Sequence, residues 1–158
     1  MKTLVIFDSY FGNTEQVARA VGNTLSSQGT EEIVKVSEVS PQQMEGVDLL
    51  VVGSPTRAFQ PSDGTKAFLK RLANGSLDGI KVAAFDTRIK PEDTGSSFLK
   101  FMVNIFGYAA KPIADRLAKK GGQLAGTPEG FYVKASEGPL KDGELERAAA
   151  WAVKLANN

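Results

Sequence analysis

Apolar residues in this chain fall into short unbroken runs, separated by longer stretches in which they recur every three or four positions. Leu4-Val5-Ile6-Phe7 is the first run, and it lacks the polar alternation of a half-exposed strand, so it predicts a strand buried on both faces. Ile33-Val34-Lys35-Val36, Leu49-Leu50-Val51-Val52 and Ile80-Lys81-Val82-Ala83-Ala84-Phe85 predict three more strands, the first of them rich in β-branched residues. Leu124-Ala125 and Phe131-Tyr132-Val133 read as two parts of a last strand around the Gly- and Pro-containing turn 126–130.

Helical spacing fills the gaps. Val17, Ala20, Val21 and Leu25 share a face over 13–27, with Gly29 as the stop. Phe68, Leu69 and Leu72 point the same way over 64–73, and Leu145, Ala148, Ala149, Ala152 and Leu155 do so over 143–156. A further helix is expected over 97–106, its apolar run from Phe98 to Phe106 read as a helix buried beside the sheet. Pro112 lacks the N–H of the helical ladder and should kink or restart the chain before a second piece over 113–119. Tyr108 and Trp151 read as packing residues within helical stretches.

Strand and helix alternating about five times predict a parallel sheet covered on both sides, because parallel strands need crossovers and these are right-handed. No repeat or linker interrupts the 158 residues, so the expectation is one doubly wound α/β domain over 1–158. Hydrophobic residues at 42% and charged residues at 23% suit a globular core.

Two absences change the functional picture. Without Cys there is no thiolate nucleophile, disulfide framework or Cys-held cluster; without His there is no Ser-His-Asp triad or imidazole shuttle. Redox or group-transfer chemistry here must therefore use a cofactor. A formal net charge of +1 gives no reason to expect a nucleic-acid partner. The apolar start, Leu4 to Phe7, is too short for a signal peptide or membrane span, so no membrane insertion is expected and the Cys-free chain fits the cytoplasm. No spacing of carboxylates suggests a metal site.

In a doubly wound sheet ligands bind beyond the carboxyl ends of the strands, here in loops beginning at Asp8, Gly53, Asp86 and Val133. The first loop, Asp8-Ser9-Tyr10-Phe11-Gly12-Asn13-Thr14-Glu15, runs straight into a helix. Free N–H groups and partial positive charge at that helix start, with a Gly and two hydroxyls, make a phosphate seat built from neutral donors. The same Ser and Thr would also serve as helix caps with no ligand. No GxGxxG and no GxxxxGK[ST] follow the first strand, and Gly53-Ser54 stands where a phosphorylatable receiver domain carries an acid.

The segment Val5 to Val21, reading VIFDSYFGNTEQVARAV, resembles the flavodoxin signature, and Gly53-Ser54-Pro55-Thr56-Arg57 is similar to the flavin-ring loop of FMN-binding flavodoxin-like reductases. More weakly, Glu137-Gly138-Pro139-Leu140 is similar to small flavodoxin-like proteins. The resemblance implies a five-stranded parallel sheet in the order 2-1-3-4-5 with FMN at the reversal point. It implies that Ser9, Tyr10, Phe11, Gly12, Asn13 and Thr14 cradle the phosphate, and that Ser54, Pro55, Thr56, Arg57, Ala58 and Phe59 border the isoalloxazine. Asp86, Thr87 and Arg88 would line the ring's other edge. Read alone, Asp86 and Arg88 also fit an ion pair in a solvated loop, and Phe59 a core or interface aromatic.

The chain departs from an acidic flavodoxin in its near-neutral charge, in a third loop without an aromatic from Asp86 to Lys90, and in a second loop without the Gly whose peptide can turn over to accept a hydrogen bond from the reduced ring. Arg57 and Arg88 would place positive charge near the ring and favour its reduced, anionic form. A less reducing flavin with a poorly stabilised one-electron form is therefore expected. Three functions remain open. The first is an FMN electron carrier serving a redox partner protein or small-molecule acceptor; the second, an FMN-dependent NAD(P)H:quinone-type oxidoreductase; the third, a flavin-free interaction module using the apolar 98–106 segment.

Overall fold

The computed structural model describes the whole chain, Met1–Asn158. Six parallel strands form the sheet: β1 (Lys2–Phe7), β2 (Thr30–Lys35), β3 (Leu49–Pro55), β4 (Lys81–Ile89), β5 (Gln123–Leu124) and β6 (Glu129–Val133). Their order is β2-β1-β3-β4, with β5 and β6 both paired to β4, so the predicted 2-1-3-4-5 order holds and its last strand is split in two. The register is continuous across the central strands, with Phe7 beside Gly53, and Gly53 beside Phe85.

The strands read as unbroken apolar runs because each face meets helices. Leu4, Ile6, Leu50, Val52, Val82 and Ala84 pack on α3 (Asp63–Arg71) and α6 (Ala110–Lys119). Val5, Phe7, Leu49, Val51, Ala83 and Phe85 pack on α1 (Asn13–Leu25) and α7 (Glu144–Asn157). Adjacent residues thus serve opposite cores, and neither face is left for water. Trp151 packs in the second core as expected, in edge-to-face contact with Phe85 and Phe131, each at 6.0 Å. No helix is long and apolar enough to cross a membrane.

Three expectations change between β4 and α6. Pro112 does not restart the helix: α6 begins at Ala110, and Pro112 lies in its first turn, where no N–H partner is needed. Tyr108 lies in the connection before α6, outside any helix. The third concerns α5 (Ser97–Phe106), reached through the short helix α4 (Pro91–Thr94), since α5 has no buried residue. Phe98, Phe101, Ile105 and Phe106 all face outwards. The reason is steric: α3 and α6 already cover that face of the sheet, so α5 is held at the strand ends. One further helix, α2 (Pro41–Met44), joins β2 to β3 and has no apolar period that would have revealed it.

Gly53 shows how tightly the strand ends are filled. A Cβ there would overlap the Phe85 ring, itself held by Phe131 and Trp151. Gly53→Ala should therefore cost about 1–3 kcal/mol of stability, read as a lower midpoint in urea unfolding. The double variant with Phe85→Leu should recover part of the loss, because the smaller side chain frees the space.

Candidate functional site

The carboxyl ends of β1, β3, β4 and β6 converge on a cavity of about 350 Å³. Ser9, Tyr10, Phe11, Asn13 and Thr14 form one wall, Pro55, Thr56, Arg57 and Ala58 a second, and Thr87, Arg88 and Ile89 a third. Val133 and Ser136 close the far side. Eleven sequence-predicted residues therefore meet at one place. Ile89 and Ser136 were not singled out from the sequence; their signal was only their position just past a strand end.

One end of the cavity is built by the start of α1. Gly12 is its N-cap with φ 92°, a left-handed conformation that suits Gly, and no side chain caps the helix. Ser9 Oγ accepts the Gly12 N–H at 3.0 Å and shapes the loop. The first-turn N–H groups thus have no side-chain cap and point at the cavity end, where an anion would complete them. The groups at this end are neutral backbone N–H groups and hydroxyls.

Four expected residues lie outside the cavity and support it. Ser54 Oγ accepts the Ser62 N–H at 2.9 Å, and the Ser62 hydroxyl donates to Asp8 Oδ2 at 2.6 Å. Asp8 Oδ1 accepts the Ser9 N–H at 2.9 Å, so this buried chain of polar groups ties the first loop to the second. Gly12 supplies the turn. Phe59 does not line this cavity, and its ring lies 5.8 Å from that of Phe106 on α5.

Asp86 is fully buried and is not a wall of the cavity. Its oxygens accept from Arg88 Nε at 2.6 Å and Arg88 Nη2 at 2.7 Å, and from the Ala110 N–H at 2.8 Å. Burial pushes its carboxyl above the usual carboxylate range, against the hydrogen bonds and charge of Arg88 and the Ala110 N–H. The Arg88 guanidinium lies 3.8 Å from the Tyr108 ring centre, and a Cβ at Gly130 would overlap it. Arg88 is thus held by Asp86, Tyr108 and the Gly130 backbone, paired with a carboxylate, while it still lines the cavity. Arg57 has no carboxylate partner and stacks on Tyr10 at 4.9 Å across the cavity mouth.

Further bonds hold the walls in register. Thr14 and Thr87 share a hydroxyl hydrogen bond of 2.8 Å, and the Asn13 amide donates to the Glu137 carbonyl at 3.1 Å. Thr56 Oγ1 accepts the Ala109 N–H at 3.2 Å. The Asn13 side chain thereby ties the start of α1 to the loop after β6.

A flavodoxin domain model matches residues 4–96, more than half the chain. The chain is 32% identical over 141 residues to the flavodoxin of Aquifex aeolicus (strain VF5), covering 80% of this chain and 76% of that protein. The chain belongs to the flavodoxin family. Its fold is similar to that of a flavodoxin from the domain Archaea, with a TM-score of 0.79 at 20% identity over 99% of this chain and 97% of the other. Flavodoxin 1 from Bacillus cereus superposes with a TM-score of 0.77 at 17% identity, covering 100% and 99%. Flavodoxin-family membership implies FMN as the cofactor. The uncapped α1 start, the Gly12 turn and the paired hydroxyls fit its phosphate.

The second loop holds local backbone strain. Arg57 and Gln60 exchange backbone hydrogen bonds of 2.7 and 2.9 Å, closing a two-residue hairpin. Its central residues, Ala58 at φ 47° and Phe59 at φ 68°, are the only non-glycine residues at positive φ. Such turns favour Asn and Gly, and each L-residue held there stores about 1–2 kcal/mol. Ala58→Gly should relieve that strain and raise stability by roughly 0.5–1 kcal/mol after the entropy of the unfolded Gly is subtracted. Thermal unfolding of the apoprotein would read this as a higher Tm.

Proposed function

We propose that the protein is a one-domain FMN electron carrier that passes electrons to a redox partner protein. The observation that carries this reading is the uncapped first turn of α1 opening onto the cavity where the loops after β1, β3 and β4 meet. The backbone N–H groups at 13–15 and the Ser9 and Thr14 hydroxyls would hold the phosphate, and Pro55 to Ala58 and Thr87 to Ile89 would border the isoalloxazine. Bound FMN supplies the electron-transfer chemistry. The protein binds it, orients it and sets the charge around it.

The two arginines differ in that last task. Asp86 balances Arg88, so the sequence expectation that both favour the anionic reduced ring narrows to Arg57. Support for a flavin less reducing than in an acidic relative rests on this one unbalanced cation, together with the near-neutral chain.

A second reading, an FMN-dependent oxidoreductase, is favoured by one observation. A cavity of about 340 Å³ lined by Phe59, Leu99, Val103 and Tyr108 shares Thr56, Ala58, Arg88 and Ile89 with the first, and has room for a small planar acceptor.

Freshly purified protein should show flavin absorption and release FMN on denaturation. Colourless protein that takes up no added FMN would overturn both readings. Steady oxidation of NADPH with a quinone would favour the second over the first. In the holoprotein, Arg57→Gln should lower the two-electron potential by about 20–30 mV, the equivalent of losing roughly 1 kcal/mol from one solvent-screened cation. Spectroelectrochemical titration reads the shift.

A further inference from the structure

We infer that the outer face of α5 and the groove beside it form the docking surface for an acidic electron-transfer protein; the inference rests on the carrier reading above. Phe98, Phe101, Ile105 and Phe106 are 57–67% exposed. Positions 98, 101, 105 and 106 fall on one helical face, so the exposure is a continuous apolar stripe. A stripe of four large apolar side chains is more than scattered surface exposure and marks a binding surface.

The stripe continues into a concavity. Phe106 lines a groove of about 550 Å³ with Phe59, Pro61, Leu69, Pro112 and Arg116. Ala58 and Phe59 belong both to this groove and to the walls of the cofactor site or the cavity adjoining it. A partner seated here therefore lies next to the predicted ring position, which electron transfer requires because electrons cross only short gaps.

Charge selects the partner. Arg116 lines the groove, Arg57 stands in the hairpin that carries Ala58 and Phe59, and Lys100 is exposed on α5 itself; none has a carboxylate within ion-pair distance. Lys66 and Lys111 are exposed and paired only to exposed neighbours, Asp63 and Asp115. Glu92 is the one unpaired carboxylate on the segment leading to α5. An apolar surface rimmed by unbalanced cations complements apolar residues ringed by carboxylates. A second copy of this chain would set the same unpaired cations, Arg57, Lys100 and Arg116, against their own kind. A lipid headgroup surface could meet the stripe and the cations, but it offers no protruding side chain to fill a 550 Å³ groove, whereas a protein does.

Photoreduced holoprotein can be mixed in a stopped-flow instrument with cytochrome b5 as an acidic acceptor and cytochrome c as a basic one. The second-order rate with cytochrome b5 should fall as salt is added, as expected for opposite charges. Lys100→Glu with Arg116→Glu should slow it at least tenfold at low salt and speed the reaction with cytochrome c. Phe101→Ser with Ile105→Ser should slow the reaction with cytochrome b5 at all salt concentrations. Both double variants should keep their FMN content and redox potential, since neither touches the cofactor cavity. Unchanged rates in variants that hold FMN and photoreduce normally would overturn the docking surface and leave the carrier intact. Protein that takes up no FMN, or that reduces neither cytochrome, would overturn the carrier reading and the docking surface with it. Dimers in sedimentation, or binding to phosphatidylserine vesicles, that disappear in the Phe101→Ser, Ile105→Ser variant would assign the face to those occupants and overturn the inference.

Discussion

The site depends on one constraint: a parallel sheet covered on both faces leaves free backbone donors only at its edges. In this chain the first turn of α1 is where those donors remain, because Gly12 takes the N-cap without a capping side chain and Ser9 is occupied with the Gly12 N–H. A residue that capped the helix would satisfy the same N–H groups and remove the reason for an anion to bind. The other walls are arranged around that opening by buried polar links. Asp8, Ser54 and Ser62 join the first loop to the second, and Thr14 with Thr87 joins the first to the third. A shift in any of these loops would therefore be felt by the rest.

Electrostatics divides the surroundings of the site into a closed part and an open part. The Asp86–Arg88 pair, capped by Tyr108 and backed by Gly130, is a rigid and charge-balanced wall. Arg57 is exposed on a strained hairpin and carries an unbalanced charge. The apolar stripe of α5 lies beyond that hairpin, linked to it through Phe59 and Phe106. The second loop thus connects the inner chemistry of the site with the surface a partner would meet. Strain of this kind is affordable only where the neighbouring packing is strong, and Phe59 on Phe106 provides it locally.

The sequence made the sheet legible because burial on both faces removes ambiguity from strands such as Leu49 to Val52. The turn and open helix start after β1 were legible for a related reason: Gly12, two hydroxyls and an adjoining helix are local chemistry. What could not be read were long-range relations. Asp86 looked like a site wall, yet its partner Ala110 lies on another element and draws the carboxyl inwards. The 98–106 run has the composition of a core helix, and only the occupancy of the sheet face by α3 and α6 shows that there is no room for it. Tyr108 follows that helix so closely that its position over Arg88 left no mark on the apolar period.

The central claim is that neutral donors at the start of α1 seat a phosphate. Fluorescence titration of the apoprotein with FMN and with riboflavin tests it directly, since the two ligands differ only in that group. The account predicts riboflavin to bind at least about 100-fold more weakly, equivalent to roughly 2.8 kcal/mol from the hydrogen bonds made to the phosphate. Equal affinity for the two would contradict it.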